Sequence, residues 1–284
     1  MKKHEVKVNH MDMVYEECGE SNGWTVVLLH GFCGSSRYWH KVCPLLNDKY
    51  RIIMPQLRGH GGTSAPDDIY SMEAMADDIY SLLKALNIEK VVMFGHSLGG
   101  YVTLAFADKY PDMLLGMGLI HSTALPDTVD KKKKRLQDIY HIAQHGIEDY
   151  VSRFIPKLFS VSKLSELDAE LTEIINIGLE MNPKGAMLTL EGMMQRPDRS
   201  HVLTKAAFPI LLVAGAQDDI ISPLETFSIT NKNIADSTFG YPHILENTFE
   251  NVAHMSLVEA PNQLSRIIAN YMKILYEKEE LRLV

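Results

Sequence analysis

Between residues 90 and 107 the chain runs Lys90-Val91-Val92-Met93-Phe94-Gly95-His96-Ser97-Leu98-Gly99-Gly100-Tyr101-Val102-Thr103-Leu104-Ala105-Phe106-Ala107. A short apolar, β-branched run leads into Gly-x-Ser-x-Gly, and a helix-forming run follows. A turn that packs a strand end against a helix start leaves no room for Cβ atoms two residues either side of its apex, which is why glycines stand at 95 and 99. The apex residue, Ser97, is lifted into the open at a helix N-terminus, where backbone N–H groups and the helix dipole favour developing negative charge. Ser97 is therefore read as a nucleophile.

Outward from this turn, the first half of the chain alternates short apolar runs with helical patterns. Strands are expected at Val6–Val8, Met11–Glu17, Thr25–Leu29, Arg51–Leu57, Val91–Phe94 and Leu114–Ile120. Ser71-Met72-Glu73-Ala74 opens a helix as an N-cap with an acid in the first turn, and Met75, Ile79, Leu82, Leu83 and Leu86 continue it at helical spacing. Strands alternating with helices imply βαβ units and a mostly parallel sheet flanked by helices, an α/β fold. From about Ala124 to Lys205 strand patterns stop. The text there is helical, polar and Met-bearing, starting with Lys131-Lys132-Lys133-Lys134-Arg135, a run read as a solvated helix face. Strands return at Pro209–Ala214 and His243–Thr248, and a long amphipathic helix from about Ser256 closes the chain. The expected organisation is a core of residues 1–123 and 206–284 interrupted by a helical insertion over 124–205.

Composition bounds the function. The chain has 284 residues, 46% hydrophobic and 23% charged, which excludes disordered, collagen-like and coiled-coil classes. A net charge of −8 argues against nucleic acid as a partner. The charged start Met1-Lys2-Lys3-His4-Glu5 and the lack of a long apolar run lead to the expectation of a cytoplasmic protein with no membrane partner. The cysteines, Cys18, Cys33 and Cys43, are odd in number and lack CxxC spacing, so reduced thiols are expected; Cys33 is read as a small buried filler. His141 and His145 stand four apart, but no glutamate or third ligand completes a zinc motif, and no metal or cofactor is expected.

The second chemical element is His30-Gly31-Phe32-Cys33-Gly34 after the strand Thr25–Leu29. A loop leaving a strand end there can aim the Phe32 N–H at a substrate carbonyl oxygen, with the Leu98 N–H as second donor, the pair forming an oxyanion hole.

Through His30-Gly31-Phe32, Arg58-Gly59-His60-Gly61, Gly95 to Gly100, Gly215 to Pro223 and Ala253-His254, the chain resembles the α/β-hydrolase fold superfamily, in the esterase-like branch with a helical cap. The resemblance covers nearly the whole length outside the insertion. It implies a triad in the order Ser, acid, His, the acid lying after the strand that follows the cap and the histidine before the last helix. Counting from Gly215 in Gly215-Ala216-Gln217-Asp218-Asp219 gives Asp218 as the acid; counting back from Pro223 gives Asp219, and the one not used is read as a cap for the next helix. A rarer arrangement would use Asp127. Of twelve histidines, His254 alone stands in the family's place, while His96 should point elsewhere and His30 and His60 brace loops. Gln56 replaces the family's usual aspartate, which puts loop bracing in doubt.

The implied reaction is hydrolysis of a carboxylic ester with a small to medium apolar acyl or alcohol group, through an acyl-enzyme on Ser97. Serine at position 97 argues against the carboxylate-nucleophile relatives, and Met255, where carbon–carbon hydrolases often carry tryptophan, lowers their claim. Lactonase, thioesterase, carbon–carbon hydrolase or peptidase chemistry, or a slow-turnover ligand sensor, are the alternatives the same triad allows. Cap residues Phe154, Leu158, Phe159, Met187 and Met194, with Met181 and Met193, are expected to give an adaptable apolar lid. Arg196 and Arg199 could bind a substrate carboxylate, but are read as solvated surface residues. The partner expected is a small ester-type molecule, and the oligomeric state stays open.

Overall fold

The computed structural model describes residues 1–19, 24–46, 48–230 and 243–282. Eight strands form one sheet in the order β1-β2-β4-β3-β5-β6-β7-β8. They are β1 (Lys2–Val8), β2 (Met11–Cys18), β3 (Thr25–Leu29), β4 (Arg51–Pro55), β5 (Val91–His96), β6 (Leu114–Ile120), β7 (Ile210–Gly215) and β8 (Ile244–Phe249). β2 runs antiparallel to both β1 and β4, and every other pair is parallel. β3, β5 and β7 are buried along their whole length, as continuous apolar runs must be when helices cover both faces of a sheet. The chain crosses between parallel strands through helices, so the carboxyl ends of β3, β5, β6 and β7 share one edge, where an open α/β sheet builds its site.

α1 (Met72–Ala85) begins where the sequence placed it, Ser71 Oγ accepting from the Ala74 N–H at 3.1 Å. Its apolar stripe, Met72, Met75, Ile79, Leu82 and Leu83, is buried. α2 (Leu98–Lys109) follows β5 directly. Between β6 and β7 the chain is helical throughout, in α3 (Val129–Phe154), α4 (Asp168–Leu179), α5 (Pro183–Gln195) and α6 (Ser200–Lys205) with short 3-10 turns between them. The remaining helices are α7 (Pro223–Thr226), α8 (Ser256–Glu259) and α9 (Pro261–Arg282). The expected single closing helix is thus two, because proline at 261 pushes Ala260 out of the helical region, to φ −149° and ψ 48°. Among the described residues no helix is long and apolar enough to cross a membrane.

Two sequence expectations are corrected by packing. Cys18, at the end of β2, and Cys43, in the turn Cys43–Leu45, are joined by a disulfide; an odd cysteine count hid a pair that the fold brings together across 25 residues. Cys33 is free and fully buried, and burial pushes its thiol up and out of the reactive range. Arg196 and Arg199 are not surface residues, being 5% and 4% exposed. Arg196 donates to Asp127 Oδ1 at 2.7 Å and to the Met193 and Leu125 carbonyls, with its guanidinium 3.9 Å over the Tyr101 ring. Arg199 pairs with Glu73 and Asp108. Asp127, on the segment entering α3, also takes Arg135. These ions tie the helical insertion to α1 and α2 beneath it.

Candidate active site

Ser97 sits at the apex between β5 and α2 with φ 52° and ψ −114°, a conformation an L-residue adopts only under constraint. The constraint is the close approach of backbones: a Cβ on Gly95 would lie 2.2 Å from the Gly99 carbonyl oxygen, and one on Gly99 2.5 Å from that of Leu29. The Ser97 N–H donates to the Ile120 carbonyl at 2.9 Å, and Ser122 Oγ donates to the Ser97 carbonyl at 2.8 Å, so the neighbouring strand end fixes the turn. The N–H groups of Phe32 and Leu98 have no hydrogen-bond acceptor among the described residues.

Asp218 and His254 meet at the same edge. Asp218, 4% exposed, accepts at Oδ2 from His254 Nδ1 at 2.7 Å and at Oδ1 from the Ile220 and Ile221 N–H groups, both at 2.9 Å. Burial alone would raise its pKa, but the charge of His254 and hydrogen bonds from His121 and His254 outweigh it and hold the carboxyl well below the ordinary range. With Nδ1 donating to the carboxylate, His254 Nε2 is the nitrogen left to accept a proton. Asp219, the other candidate acid, is exposed and lines the cavity mouth; it caps no helix, because Ser222 and Glu225 cap α7, the Ser222 N–H donating to Glu225 Oε2 at 3.1 Å. Asp127 is occupied by Arg135 and Arg196.

Two supporting groups, His121 and Glu259, escaped the sequence reading, and a third, His96, was expected only to point elsewhere. His121, at the end of β6 with φ 48°, is fully buried and directs Nδ1 at the same Asp218 Oδ2, 3.1 Å away, while its Nε2 lies 2.8 Å from Ser256 Oγ. Burial lowers its pKa despite the carboxylate, so the ring is neutral, donating at Nδ1 and accepting at Nε2. Glu259 accepts from the N–H groups of Ala253 and Met255, at 3.1 and 3.3 Å, and of Ser160 at 3.2 Å, clamping the turn that carries His254. His96 donates from Nε2 to the His254 carbonyl at 2.8 Å, and its ring fills the space a Cβ on Gly31 would need. The insertion joins in: the His254 N–H donates to the Leu158 carbonyl at 2.9 Å.

The loops beneath behave as braces. The Leu57 N–H donates to His30 Nε2 at 3.0 Å, His60 Nδ1 to the Arg58 carbonyl at 3.0 Å, and Arg58 forms a two-toothed pair with buried Asp78 at 2.7 and 2.8 Å. Gln56, the departure that put bracing in doubt, donates to Ser36 Oγ at 2.9 Å and accepts from the Gly62 N–H at 2.7 Å, doing with an amide what a carboxylate could do only as acceptor.

Ser97 opens onto a cavity of about 470 Å³ lined by Phe32, Tyr101, Tyr150, Phe154, Met193 and Ile221. Of the expected lid residues, Phe154 and Met193 reach this cavity, and Phe159 lines an adjoining outer groove. Leu158 is packed into the core and Met187 against it, and neither they nor the half-buried Met194 line the cavity. Charged residues are interleaved with the apolar lining: Lys131, Lys134, Arg135, Asp138 and His141 recur at helical spacing along the first limb of α3, and Arg153 and Lys157 come from beyond a kink at Gly146, φ 83°. The basic run is therefore split: Lys131 and Arg135 are half-buried on the cavity lining, Lys132 and Lys133 face solvent, and Lys134 touches the cavity while staying exposed.

Among the described residues, the group of three potential metal ligands is His121, Asp218 and His254, whose donor atoms lie within 4.8 Å of one another. Those atoms are already hydrogen-bonded to each other around one carboxylate oxygen, an arrangement that holds protons. His141 instead pairs with Asp149 across the kink.

Comparison with known proteins agrees with this fold. A family model described as alpha/beta hydrolase fold matches residues 25–162. A thermophilic esterase from Thermogutta terrifontis, solved with malate bound, superposes with a TM-score of 0.87 at 28% identity, covering 97% of this chain and 99% of that one. Lipase 1 of Psychrobacter immobilis is 26% identical over 269 residues, 87% of this chain and 76% of its own. An enol-lactonase from Burkholderia xenovorans shares the fold, with a TM-score of 0.86 at 18% identity over 95% of this chain and all of that one.

Proposed function

The chain belongs to the α/β-hydrolase superfamily, and from that premise we propose that it is a serine hydrolase of carboxylic esters, acting through an acyl-enzyme on Ser97. The observation that carries the reading is the convergence, at one sheet edge, of a strained Ser97 facing a cavity and a buried His254 hydrogen-bonded to Asp218. In this mechanism His254 Nε2 takes the Ser97 proton as Oγ attacks the ester carbonyl, and Asp218 holds the imidazole and stabilises its cation. The free N–H groups of Phe32 and Leu98 receive the oxyanion, a pair whose individual donors typically contribute about two to three powers of ten in turnover. The proton returns through His254 to the leaving alcohol. Water, activated by the same imidazole, then resolves the acyl-enzyme.

The helical segment between β6 and β7 serves as a cap in this reading, since it supplies Tyr150, Phe154 and Met193 to the cavity and the Leu158 carbonyl to the His254 turn. A cavity of about 470 Å³ fits an acyl or alcohol group of small to medium size. The test is turnover of p-nitrophenyl esters of increasing acyl length by the wild type and Ser97→Ala, followed from the first turnover. Steady release with a chain-length optimum, lost by at least about a thousandfold in a folded Ser97→Ala protein, is expected. Equal turnover by the two proteins defeats the nucleophile assignment, and a burst that stalls points to a ligand sensor.

A further inference from the structure

We infer that the substrate carries an ionised carboxylate, held against the basic residues that α3 and the turn Ile155–Leu158 after it present to the Ser97 cavity. This deepens the ester reading of that site and rests on it. The chain as a whole is acidic, with net charge −8, yet the cavity lining has Lys131, Lys134, Arg135, Arg153 and Lys157 against Asp138 and Asp219. A positive lining inside a cleft of an acidic protein focuses field on the cleft and favours an anionic ligand there.

The cations are only loosely neutralised. Lys131 pairs with Glu225, Lys134 with Asp138, Arg135 with Asp127 and Arg153 with Asp149. Asp127, however, is shared with Arg196, one carboxylate between two guanidiniums, and Lys157 has no ion pair among the described residues. The Lys134 and Arg153 side chains are 63% and 67% exposed, and pairs so exposed hold weakly and yield to a competing anion. The same cavity is lined by Phe32, Tyr101 and Met193 beside Ser97. The lining thus combines apolar surface with positive charge around Ser97, which suits a short ligand carrying a reactive carbonyl, an apolar body and a negative charge.

Binding to Ser97→Ala protein, which needs no turnover, tests this. Titration calorimetry compares monoethyl succinate with ethyl succinamate, and O-butyrylglycolate with O-butyrylglycolamide, each anion against its neutral amide isostere on the acyl or the alcohol side. At least one anion is expected to bind about tenfold or more tightly than its isostere, as one charge-assisted hydrogen bond provides. The preference should shrink toward unity in Ser97→Ala carrying Arg153→Gln and Lys157→Gln, and fall with added salt. Parity in both pairs, or a preference that survives the double substitution and salt unchanged, overturns the inference. Wild-type turnover of the same compounds is read separately. Anion-selective binding without ester cleavage defeats the ester reading and leaves the anion site standing; cleavage without anion preference does the reverse.

Discussion

At the scale of single residues, the site is defined by which atoms share a proton acceptor. Asp218 Oδ2 receives two imidazoles, His254 and His121, so each holds the carboxylate in place for the other. Replacing His121 by Phe removes one donor to a charged acceptor, leaving Oδ2 with His254 alone while Ile220 and Ile221 still hold Oδ1, and such a bond is worth about 1.5–3 kcal/mol. We expect kcat to fall about tenfold or more with KM little changed, and the low-field Nδ1 proton resonance of His254 to shift. His121→Gln, which keeps a donor, should recover part of the activity; a His121→Phe enzyme with wild-type kcat and spectrum would reduce this residue to filler. Ser97 and the glycines around it were legible in the sequence because one strained turn imposes its residue types locally. His121 and Glu259 were not, because their roles come from meeting Asp218 and the His254 turn in space, and nothing in their neighbours along the chain announces it. The choice between Asp218 and Asp219 was of the same kind, two adjacent carboxylates distinguished only by which one the turn after β7 directs inward.

At the scale of elements, hydrophobic pattern located the buried parallel strands to within a few residues, since such a strand is a continuous apolar run with little room to slide, whereas of the half-exposed β1 only its last three residues were read. It misread charged elements. The run Lys131 to Arg135 looked like a solvated face because composition does not reveal where a second limb of helix will stand, and that depends on the kink at Gly146. Gly146 has φ 83° and ψ 169°, an extended conformation nearly reserved for glycine, and a Cβ placed there would have nothing within 4 Å, so Gly146→Ala meets no clash and costs only that backbone strain, about 1–3 kcal/mol. The expected result is a folded protein of slightly lower Tm whose KM rises severalfold more than its kcat falls, because the two limbs lining the cavity no longer meet at the same angle. Unchanged KM with lowered Tm would show that the kink shapes stability alone.

At the scale of the whole molecule, the fold has sunk an unusual amount of imidazole into its interior to brace loops around one sheet edge. His30, His60, His96 and His121 are all buried, and burial lowers the pKa of each, to about 3 for His30 and about 4 for His60. The unfolded chain protonates these rings near pH 6.5, so between there and about pH 4 the unfolded state binds protons that the native state refuses. Stability is therefore full above that window and is lost as pH falls through it. For His30 and His60 the loss between pH 7.5 and 5 is about 2 kcal/mol each. Asp218, held below the ordinary carboxylate range, adds a further loss at lower pH, whereas the buried carboxyls Asp78 and Glu259, raised chiefly by burial, act in the opposite direction. A difference between variants isolates one ring from this mixture. Urea unfolding of the wild type and of His60→Gln at both pH values should show the variant less stable at pH 7.5, where it lacks a fitted brace, and its deficit smaller by about 2 kcal/mol at pH 5, where only the wild type must exclude a proton from residue 60. Parallel losses in the two proteins would mean that the interior admits the charge, and that the loop carrying Arg58 and Gly59 opens to water before the protein unfolds.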